Sequence, residues 1–493
     1  MRGDPGPEAN VGTWLRAHAD ARPDHPALLV EGTGERISYR ELDARVDRAA
    51  AALAGLGVVA GDRVALALAS EPLYLELYFA AAQLGAILIP LNTRLRPTEL
   101  GFQIEDSEPR VVVRVPGVEI PACAGTRMLS PEELRARTPA QAERRAPAPG
   151  AESPQVILYT SGTTGRPKGA VLPHRKTYWN SRNAELYFEL VPEDVVVVPI
   201  PLFHSFGLKI LSVPTLFVGA TALLVDRFDP IGLQDSVERE RATLLGAVPV
   251  MYQRMLEAGL EPKKLARLRF AFSAGSALGV DTIERYARAG LRIQQGYGQT
   301  ETSILCCLDA RDALRKAGSV GKPVRFGEVR IADERGRDVS RGARGEVVVR
   351  GPIVMSGYWR RPEETAQSRI GGWHRTGDLG VMDEDGDVSL VGRLKELYIS
   401  GGENVYPAEV ERVLGQHPDV SEVAVVGVPD EKWGEAGRAY VVSASATFDA
   451  AGLLAWASER LARYKLPREV VVVAELPRTA SGKVQKHALL ART

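Results

Sequence analysis

Short apolar runs recur along the chain, with amphipathic, helix-length segments such as 281–288 between them. The runs are nearly continuous and do not alternate with polar residues, which is typical of parallel strands covered by helices on both faces. This pattern predicts an α/β fold built on mostly parallel sheets. The predicted strands are Arg63–Leu68, Ile87–Leu91, Arg110–Val115, Val156–Tyr159, Val195–Ile200, Thr221–Val225, Thr243–Val248 and Arg267–Phe272.

The sequence pattern changes after about Gly318, where shorter predicted strands are separated by turns that contain Gly and Asp. This predicts a small, β-barrel-like subdomain over about 318–392. Beyond it, a helix beginning at Pro407 and a long helix ending near Lys465 predict an α+β domain, since proline suits the first helical turn. Its predicted strands are Val420–Val428, Arg438–Ser443 and Glu469–Ala474.

Composition limits the classes of function. A chain of 493 residues is too long for one ordinary core, so two or more domains are expected. The chain has 62 Lys plus Arg residues and 62 Asp plus Glu residues. No net positive charge therefore favours binding to nucleic acid. The three cysteines and the absence of an apolar N-terminal segment favour a cytoplasmic protein. The uncharged stretch 210–225 is interrupted by Pro214 and Gly219, so no integral membrane segment is expected, and peripheral membrane contact stays open.

The most informative segment is 159–169, Tyr-Thr-Ser-Gly-Thr-Thr-Gly-Arg-Pro-Lys-Gly, directly after a predicted strand. Glycines let a backbone approach a ligand closely, and hydroxyls with successive amides can donate to phosphate oxygens. The segment does not fit the P-loop pattern, and a plain polar turn is the alternative interpretation.

Further motifs follow in order at 273–278, 296–301, 376–380, 392–407 and 477–486. With this ordered set, nearly the whole chain resembles the adenylate-forming superfamily of acyl-CoA synthetases, luciferases and peptide synthetase adenylation domains. It looks closest to bacterial medium- and long-chain fatty acyl-CoA synthetases. The resemblance implies an AMP-forming acid:CoA ligase that needs ATP and Mg²⁺, with coenzyme A as co-substrate.

The resemblance also implies roles for individual residues. Those expected to bind ATP or AMP are Thr160, Ser161, Gly162, Thr163, Thr164, Gly165, Lys168, Gly275, Ser276, Ala277, Gln295, Gly296, Tyr297, Gly298, Thr300, Asp378, Arg393 and Lys483. Thr160 and Glu301 are expected to hold magnesium. The expected catalytic residues are Lys483, Thr300, Glu301 and His204, although His204 could instead be a packed core residue.

By the same resemblance, the N-terminal adenylation domain covers 1–392, a hinge at Lys395 covers 393–396, and a small mobile C-terminal domain covers 397–493. The two half-reactions would use different domain orientations, with Lys483 facing the site in the first. In the second, the CoA-binding residues would face it; they are Ser400, Gly401, Gly402 and Glu403.

The acid is expected to be a medium- or long-chain fatty acid, with an acyl pocket formed by His204, Ser205, Phe206, Arg254, Gly298 and Gln299. Arg254 leaves a malonate-type dicarboxylate open, because an arginine can bind a second carboxylate, and aryl acids also stay open. A carrier protein is the alternative acceptor, and a non-catalytic scaffold is the alternative class. The enzyme is expected to be a monomer or a homodimer.

Overall fold

The computed structural model describes residues 5–143, 150–160, 167–276, 278–309, 311–445, 447–479 and 483–490. The chain forms two compact units. The first comprises Met1–Val329 and Val349–His374, and the second comprises Arg330–Val348 and Arg375–Thr493.

The helices are α1 (Trp14–Ala21), α2 (Tyr39–Gly55), α3 (Pro72–Leu84), α4 (Pro97–Ser107), α5 (Pro131–Arg135), α6 (His174–Tyr187), α7 (Val213–Val218), α8 (Pro230–Arg239), α9 (Pro249–Glu257), α10 (Pro262–Leu265), α11 (Val280–Arg288), α12 (Pro362–Gln367), α13 (Pro407–Leu414), α14 (Ala450–Ser458) and α15 (Lys486–Leu490). A π-helix covers Phe206–Ser212, and 3-10 turns cover Val11–Thr13 and Arg463–Lys465. Many helices begin with proline, whose missing amide hydrogen costs nothing there.

The strands up to β15 are β1 (Pro26–Val30), β2 (Arg36–Ser38), β3 (Arg63–Ala67), β4 (Ile87–Pro90), β5 (Val111–Arg114), β6 (Arg127–Leu129), β7 (Pro154–Thr160), β8 (Lys168–Pro173), β9 (Val195–Val198), β10 (Thr221–Leu224), β11 (Leu244–Ala247), β12 (Phe270–Ser273), β13 (Ile293–Gln299), β14 (Ser303–Cys307) and β15 (Lys322–Pro323). The others are β16 (Glu328–Ala332), β17 (Arg344–Arg350), β18 (Gly357–Tyr358), β19 (Arg369–Ile370), β20 (Trp373–Met382), β21 (Val388–Arg393), β22 (Tyr398–Ser400), β23 (Glu403–Val405), β24 (Val420–Asp430), β25 (Gly434–Ser443) and β26 (Glu469–Val472).

Two large sheets form the first unit, in the orders β15-β14-β13-β12-β11-β9-β10-β1-β2 and β18-β8-β7-β4-β3-β5-β6. Strands β13 to β1 of the first sheet and β7 to β6 of the second pair in parallel, whereas the outer strands β2, β14, β15, β8 and β18 pair antiparallel. The predicted α/β class with mostly parallel sheets is confirmed.

Helix α6 departs from the usual amphipathic pattern, because its buried residues are mostly polar. Its fully buried side chains include Lys176, Thr177, Asn180 and Asn183. Asn180 donates from Nδ2 to the carbonyl of Lys209 in the π-helix at 2.7 Å and accepts from the amide of Ile304 in β14 at 3.3 Å. Buried polar groups are tolerated when they are hydrogen-bonded, so α6 joins the π-helix to β14 through polar contacts.

The second unit contains an α+β core. Strands β23-β22-β25-β24 form a sheet to which β26 adds in parallel beside β25, and α13 and α14 bury Val410, Leu414 and Leu453 against it. The predicted strands and the helix at Pro407 are present. The predicted long helix ending near Lys465 is wrong: α14 ends at Ser458, and only a 3-10 turn covers Arg463–Lys465.

The limits of the two units differ from the predicted domain limits, since the second unit takes in 330–348 and 375–392. A hinge at Lys395 concerns a motion and stays a prediction. In the part of the chain described above, no helix is long and apolar enough to cross a membrane.

Candidate functional site

The carboxyl ends of β12 and β13 bring the first group of predicted site residues together. The two strands are parallel neighbours, with Ser273 opposite Gln295. Gly275 follows β12 with φ +94°, a backbone conformation that favours glycine. Gln295 is buried and accepts from the amide of Leu278 at 3.3 Å. The strand ends therefore place Gly275 and Ser276 beside the end of β13 that carries Gln295, Gly296 and Tyr297.

A second group forms where β7 ends. The Thr160 hydroxyl donates to Oε1 of Glu301 at 3.1 Å, although 141 residues separate the two in the chain. Lys168 opens the antiparallel partner strand β8 and lies opposite Thr160. Of the remaining predicted ATP-binding residues, Ser161, Gly162, Thr163, Thr164, Gly165 and Ala277 lie outside the described residues.

Thr160 and Glu301 fit the magnesium role that the sequence predicts for them. A carboxylate and a hydroxyl are hard oxygen donors, the kind of ligand that Mg²⁺ takes together with phosphate oxygens. Their contact shows that the fold brings both donors to one place, so the two residues present fit the ion.

Tyr358 also contacts this group, and the sequence reasoning missed it. Its hydroxyl donates to Oε1 of Glu301 at 3.3 Å, and the Nζ atom of Lys168 lies 5.5 Å from its ring centroid. The neighbouring Met355 donates from its amide to the carbonyl of Glu301 at 2.8 Å. No motif at 355–358 pointed to these contacts, because they arise only when β18 pairs with β8.

The turn after β13 carries Thr300 and Glu301 and is tightly packed. A Cβ atom at Gly298 would lie 2.0 Å from the carbonyl oxygen of Ser303, so only glycine fits there. The amide of Gln299 donates to the Thr302 hydroxyl at 3.1 Å. Ser303 has φ +63° and accepts a hydrogen bond from the ammonium of Lys176. Burial lowers the pKa of Lys176 to about 7.

The predicted acyl-pocket residues His204, Ser205 and Phe206 lie just before and at the start of the π-helix. Burial lowers the pKa of His204 to about 4, so the imidazole is neutral at pH 7. The ring of Phe206 meets Phe272 of β12 edge to face, with centroids 5.8 Å apart. Arg254 lies on the exposed face of α9.

Three further predicted residues meet in the second unit. Arg393 and Asp378 lie opposite each other on β21 and β20, and Nε of Arg393 is 2.9 Å from Oδ1 of Asp378. Asp378 is buried. Burial and the neighbouring positive charge of Arg393 lower the pKa of Lys483 to about 8, partly offset by Asp378 and Glu396.

The predicted CoA segment is a hairpin. Strands β22 and β23 pair antiparallel, with Ser400 opposite Glu403, and Gly401 and Gly402 form the turn with φ +61° and +85°. Positive φ at both turn residues twists the hairpin in the direction that suits its strands. The amide of Gly401 donates to the carbonyl of Trp433 at 2.8 Å. Lys395, the predicted hinge, is exposed in the preceding turn.

Comparison with known proteins gives matches along nearly the whole chain. The AMP-binding enzyme family matches residues 15–359, and the AMP-binding enzyme C-terminal domain matches residues 409–483. A feruloyl-CoA synthase from Amycolatopsis sp is 41% identical, with 97% of each chain covered. An indoleacetate–CoA ligase from Aromatoleum aromaticum is 40% identical (96% of each), and the long-chain-fatty-acid–CoA ligase FadD13 of Mycobacterium tuberculosis is 35% identical, covering 97% of this chain and 98% of FadD13.

Solved structures agree with these matches. ATP-bound MatB from Rhodopseudomonas palustris superposes with a TM-score of 0.92 at 36% identity, covering 98% of this chain and 99% of that one. The o-succinylbenzoate CoA synthetase MenE of Bacillus subtilis, in complex with ATP and a magnesium ion, gives a TM-score of 0.87 at 31% identity, covering 97% and 99%.

Proposed function

The chain belongs to the AMP-binding enzyme family as an AMP-forming acid:CoA ligase that uses ATP, Mg²⁺ and coenzyme A, and we propose that its acid is an aromatic carboxylic acid. The observation that carries this proposal is the 41% and 40% identity, over nearly the full chain, to relatives named for feruloyl and indoleacetate substrates.

The aromatic residues around β12 support an aromatic acid. Phe206, in the predicted acyl pocket, contacts Phe272 edge to face, and Phe272 in turn lies 4.6 Å, centroid to centroid, from Phe188. A Cβ atom at Gly296 would lie 2.3 Å from the Phe272 ring, so the ring fills the space beside that glycine. Phe188 and Phe272 are buried, so Phe206, which is partly exposed, is the ring that we assign to edge-to-face contact with an aryl group.

In the first half-reaction, a carboxylate oxygen of the acid attacks the α-phosphorus of ATP, and the bond to pyrophosphate breaks. We assign Lys483 to the α-phosphate and the acid, where a cation offsets the repulsion between two anions. Asp378 is assigned to the ribose, because its carboxylate can accept hydrogen bonds from the two hydroxyls. Lys168 is assigned to the triphosphate. Mg²⁺, when bound through Thr160 and Glu301, neutralises phosphate charge.

In the second half-reaction, the CoA thiol gives its proton to solvent, its sulfur forms the bond to the acyl carbon, and AMP leaves with the electrons of the broken carbon–oxygen bond. We assign the backbone of Gly401 and Gly402 to the pantetheine arm, because side chains are absent at both positions. His204 is assigned to the wall of the acyl pocket and not to proton transfer, since a pKa of about 4 makes it a weak base and leaves no proton to donate at pH 7.

A fatty acid, which the sequence predicts, is the second candidate, and the 35% identity to FadD13 favours it. We would measure pyrophosphate release with ferulate, indoleacetate, decanoate, palmitate and malonate, each with and without CoA, and identify products by mass spectrometry. The proposal expects the highest kcat/KM, with a CoA thioester as product, for an aryl acid.

Preference for decanoate or palmitate would overturn the aromatic assignment and support the fatty acid. Preference for malonate would point to Arg254, which Arg254→Met should then confirm by loss of that activity alone. Adenylate without thioester, for every acid in the panel, would contradict CoA as the acceptor and favour a carrier protein.

A further inference from the structure

Tyr358 touches two side chains that we assign to the phosphates and their metal ion, although it lies 190 residues after Lys168 and 57 after Glu301. Its hydroxyl donates to Oε1 of Glu301, and its ring faces the Lys168 ammonium. The ring and the hydroxyl thus make separate contacts, which separate substitutions can remove.

The backbone holds Tyr358 firmly in this place. β18 pairs antiparallel with β8, Tyr358 opposite Ala170, and the flanking amides of Ser356 and Trp359 donate to Val171 and Gly169 at 2.9 and 2.8 Å. The amide of Tyr358 itself donates to the Thr365 hydroxyl at 2.9 Å. Because β8 begins at Lys168, the same pairing fixes the tyrosine relative to that lysine.

Two hydroxyl groups donate hydrogen bonds to the same carboxylate oxygen of Glu301. Thr160 and Tyr358 both donate to Oε1, at 3.1 and 3.3 Å, while Met355 binds the backbone carbonyl of Glu301. Both hydroxyls use Oε1, so Oε2 is the oxygen that they leave for a cation. Groups that hydrogen-bond to a metal ligand fix its orientation, and losing one typically costs about 10–100-fold in metal affinity or activity.

We propose that Tyr358 is a positioning residue that orients the Glu301 carboxylate toward Mg²⁺ through its hydroxyl and holds Lys168 at the triphosphate through its ring. This inference rests on the proposed function, in which Glu301 binds the metal and Lys168 binds the phosphates. Tyr358 itself need not touch ATP or the acid.

The test measures metal binding and not turnover. Mn²⁺ affinity is measured by electron paramagnetic resonance in the complex with α,β-methylene-ATP and no acid present. Tyr358→Phe should weaken Mn²⁺ binding about tenfold. Tyr358→Leu, which also removes the ring beside Lys168, should in addition weaken binding of the nucleotide. Tyr187→Phe, a half-buried tyrosine of α6 in the same unit, is the matched control and should leave both affinities unchanged.

A double-mutant cycle separates positioning from a general structural effect. If Tyr358 acts through Glu301, Tyr358→Phe should change Mn²⁺ affinity little in a Glu301→Gln background, because contacting residues give non-additive effects. Equal weakening in both backgrounds, or wild-type Mn²⁺ affinity in Tyr358→Phe, would overturn the inference alone. Wild-type affinity in Glu301→Gln would overturn the metal assignment of the proposed function and the role of Tyr358 with it.

Discussion

Lys483 lies among charged side chains that make its protonation state sensitive near neutral pH. Burial and Arg393 lower its pKa to about 8, from an ordinary value of 10.5. A lowered lysine pKa means that the cation is present below about pH 8 and is lost as the pH rises through that value. Because the assigned role needs the cation, we expect kcat/KM for acyl-adenylate formation to fall above about pH 8. Initial rates of pyrophosphate release at subsaturating substrate, measured from pH 6.5 to 9.5, check this, since kcat/KM reports the free enzyme.

Two variants sharpen that prediction. Lys483→Ala should abolish adenylate formation and largely spare thioester formation from supplied acyl-adenylate. Lys483→Arg should be slower than wild type but should lose the fall above pH 8, because a guanidinium stays protonated. A decline of equal steepness in Lys483→Arg would show that another group causes the pH dependence.

The contacts of single residues were only partly predictable from the sequence. Thr160 and Glu301 were paired through the resemblance of ordered motifs, and their contact at 3.1 Å agrees with that pairing. Tyr358 could not be found in this way, because its partners are set by the pairing of β18 with β8. Burial likewise decides the pKa of His204, and an isolated sequence motif carries no information on burial.

At the scale of elements, the turn of the β22–β23 hairpin leaves no room for a side chain at Gly401. A Cβ atom at Gly401 would lie 2.4 Å from the Trp433 ring, and φ is +61° there. We expect Gly401→Ala to displace the ring or the turn and to slow thioester formation at least tenfold. Adenylate formation should change less than twofold. Stopped assays of the two half-reactions check this.

A second-site change gives the internal control for the hairpin. Trp433→Leu opens space beside residue 401, so Gly401→Ala with Trp433→Leu should transfer the acyl group faster than Gly401→Ala alone. Failure of this rescue would attribute the defect to the backbone conformation and not to the ring.

The π-helix yields a prediction about proton uptake, because it carries the buried Lys209. The Nζ atom of Lys209 is hydrogen-bonded with Tyr78, Gln155 and Thr177 inside the first unit, and burial holds its pKa well below the ordinary value. Its folded pKa is depressed, so at a pH between that folded pKa and the ordinary 10.5 the unfolded chain binds a proton there that the native state lacks. The free energy of unfolding therefore rises with pH, by about 1.4 kcal/mol per pH unit for one such group.

Direct titration measures this without assuming two-state unfolding, which a chain of two compact units need not follow. On complete unfolding in guanidinium at pH 8.5, Lys209→Met should take up about one proton fewer than wild type. Lys263→Met, which removes an exposed lysine, is the control and should match wild type. Equal uptake by Lys209→Met and wild type would mean that Lys209 is charged in the native state.

The elements themselves were predicted unevenly, for a physical reason. Parallel strands such as β3 and β9 are buried on both faces, so continuous apolar runs mark them in the sequence. Helix α6 buries Lys176, Asn180 and Asn183, and its residues read as those of an exposed helix. Hydrogen-bond partners on the π-helix, on β14 and at Phe326 stabilise these buried side chains, and a single sequence does not show them.

At the scale of the whole molecule, the two half-reactions place different demands on one acyl centre. Lys483 and the Gly401–Gly402 turn both belong to the second unit and are assigned to different half-reactions. The predicted solution is a rotation about Lys395, which is exposed in the turn after β21. A rotation of this kind must change the backbone dihedrals of a few residues at the hinge.

Lys395→Pro tests this rotation, because proline fixes φ near −65° and restricts the residue before it. If both half-reactions need different φ or ψ values at Lys395, the variant should keep one of them within about threefold of wild type and slow the other at least a hundredfold. Lys395→Ala, which removes the side chain but leaves the backbone free, should slow neither more than about tenfold. Equal slowing of both half-reactions in Lys395→Pro, measured as pyrophosphate release and as thioester formation from supplied acyl-adenylate, would contradict a hinge at this position.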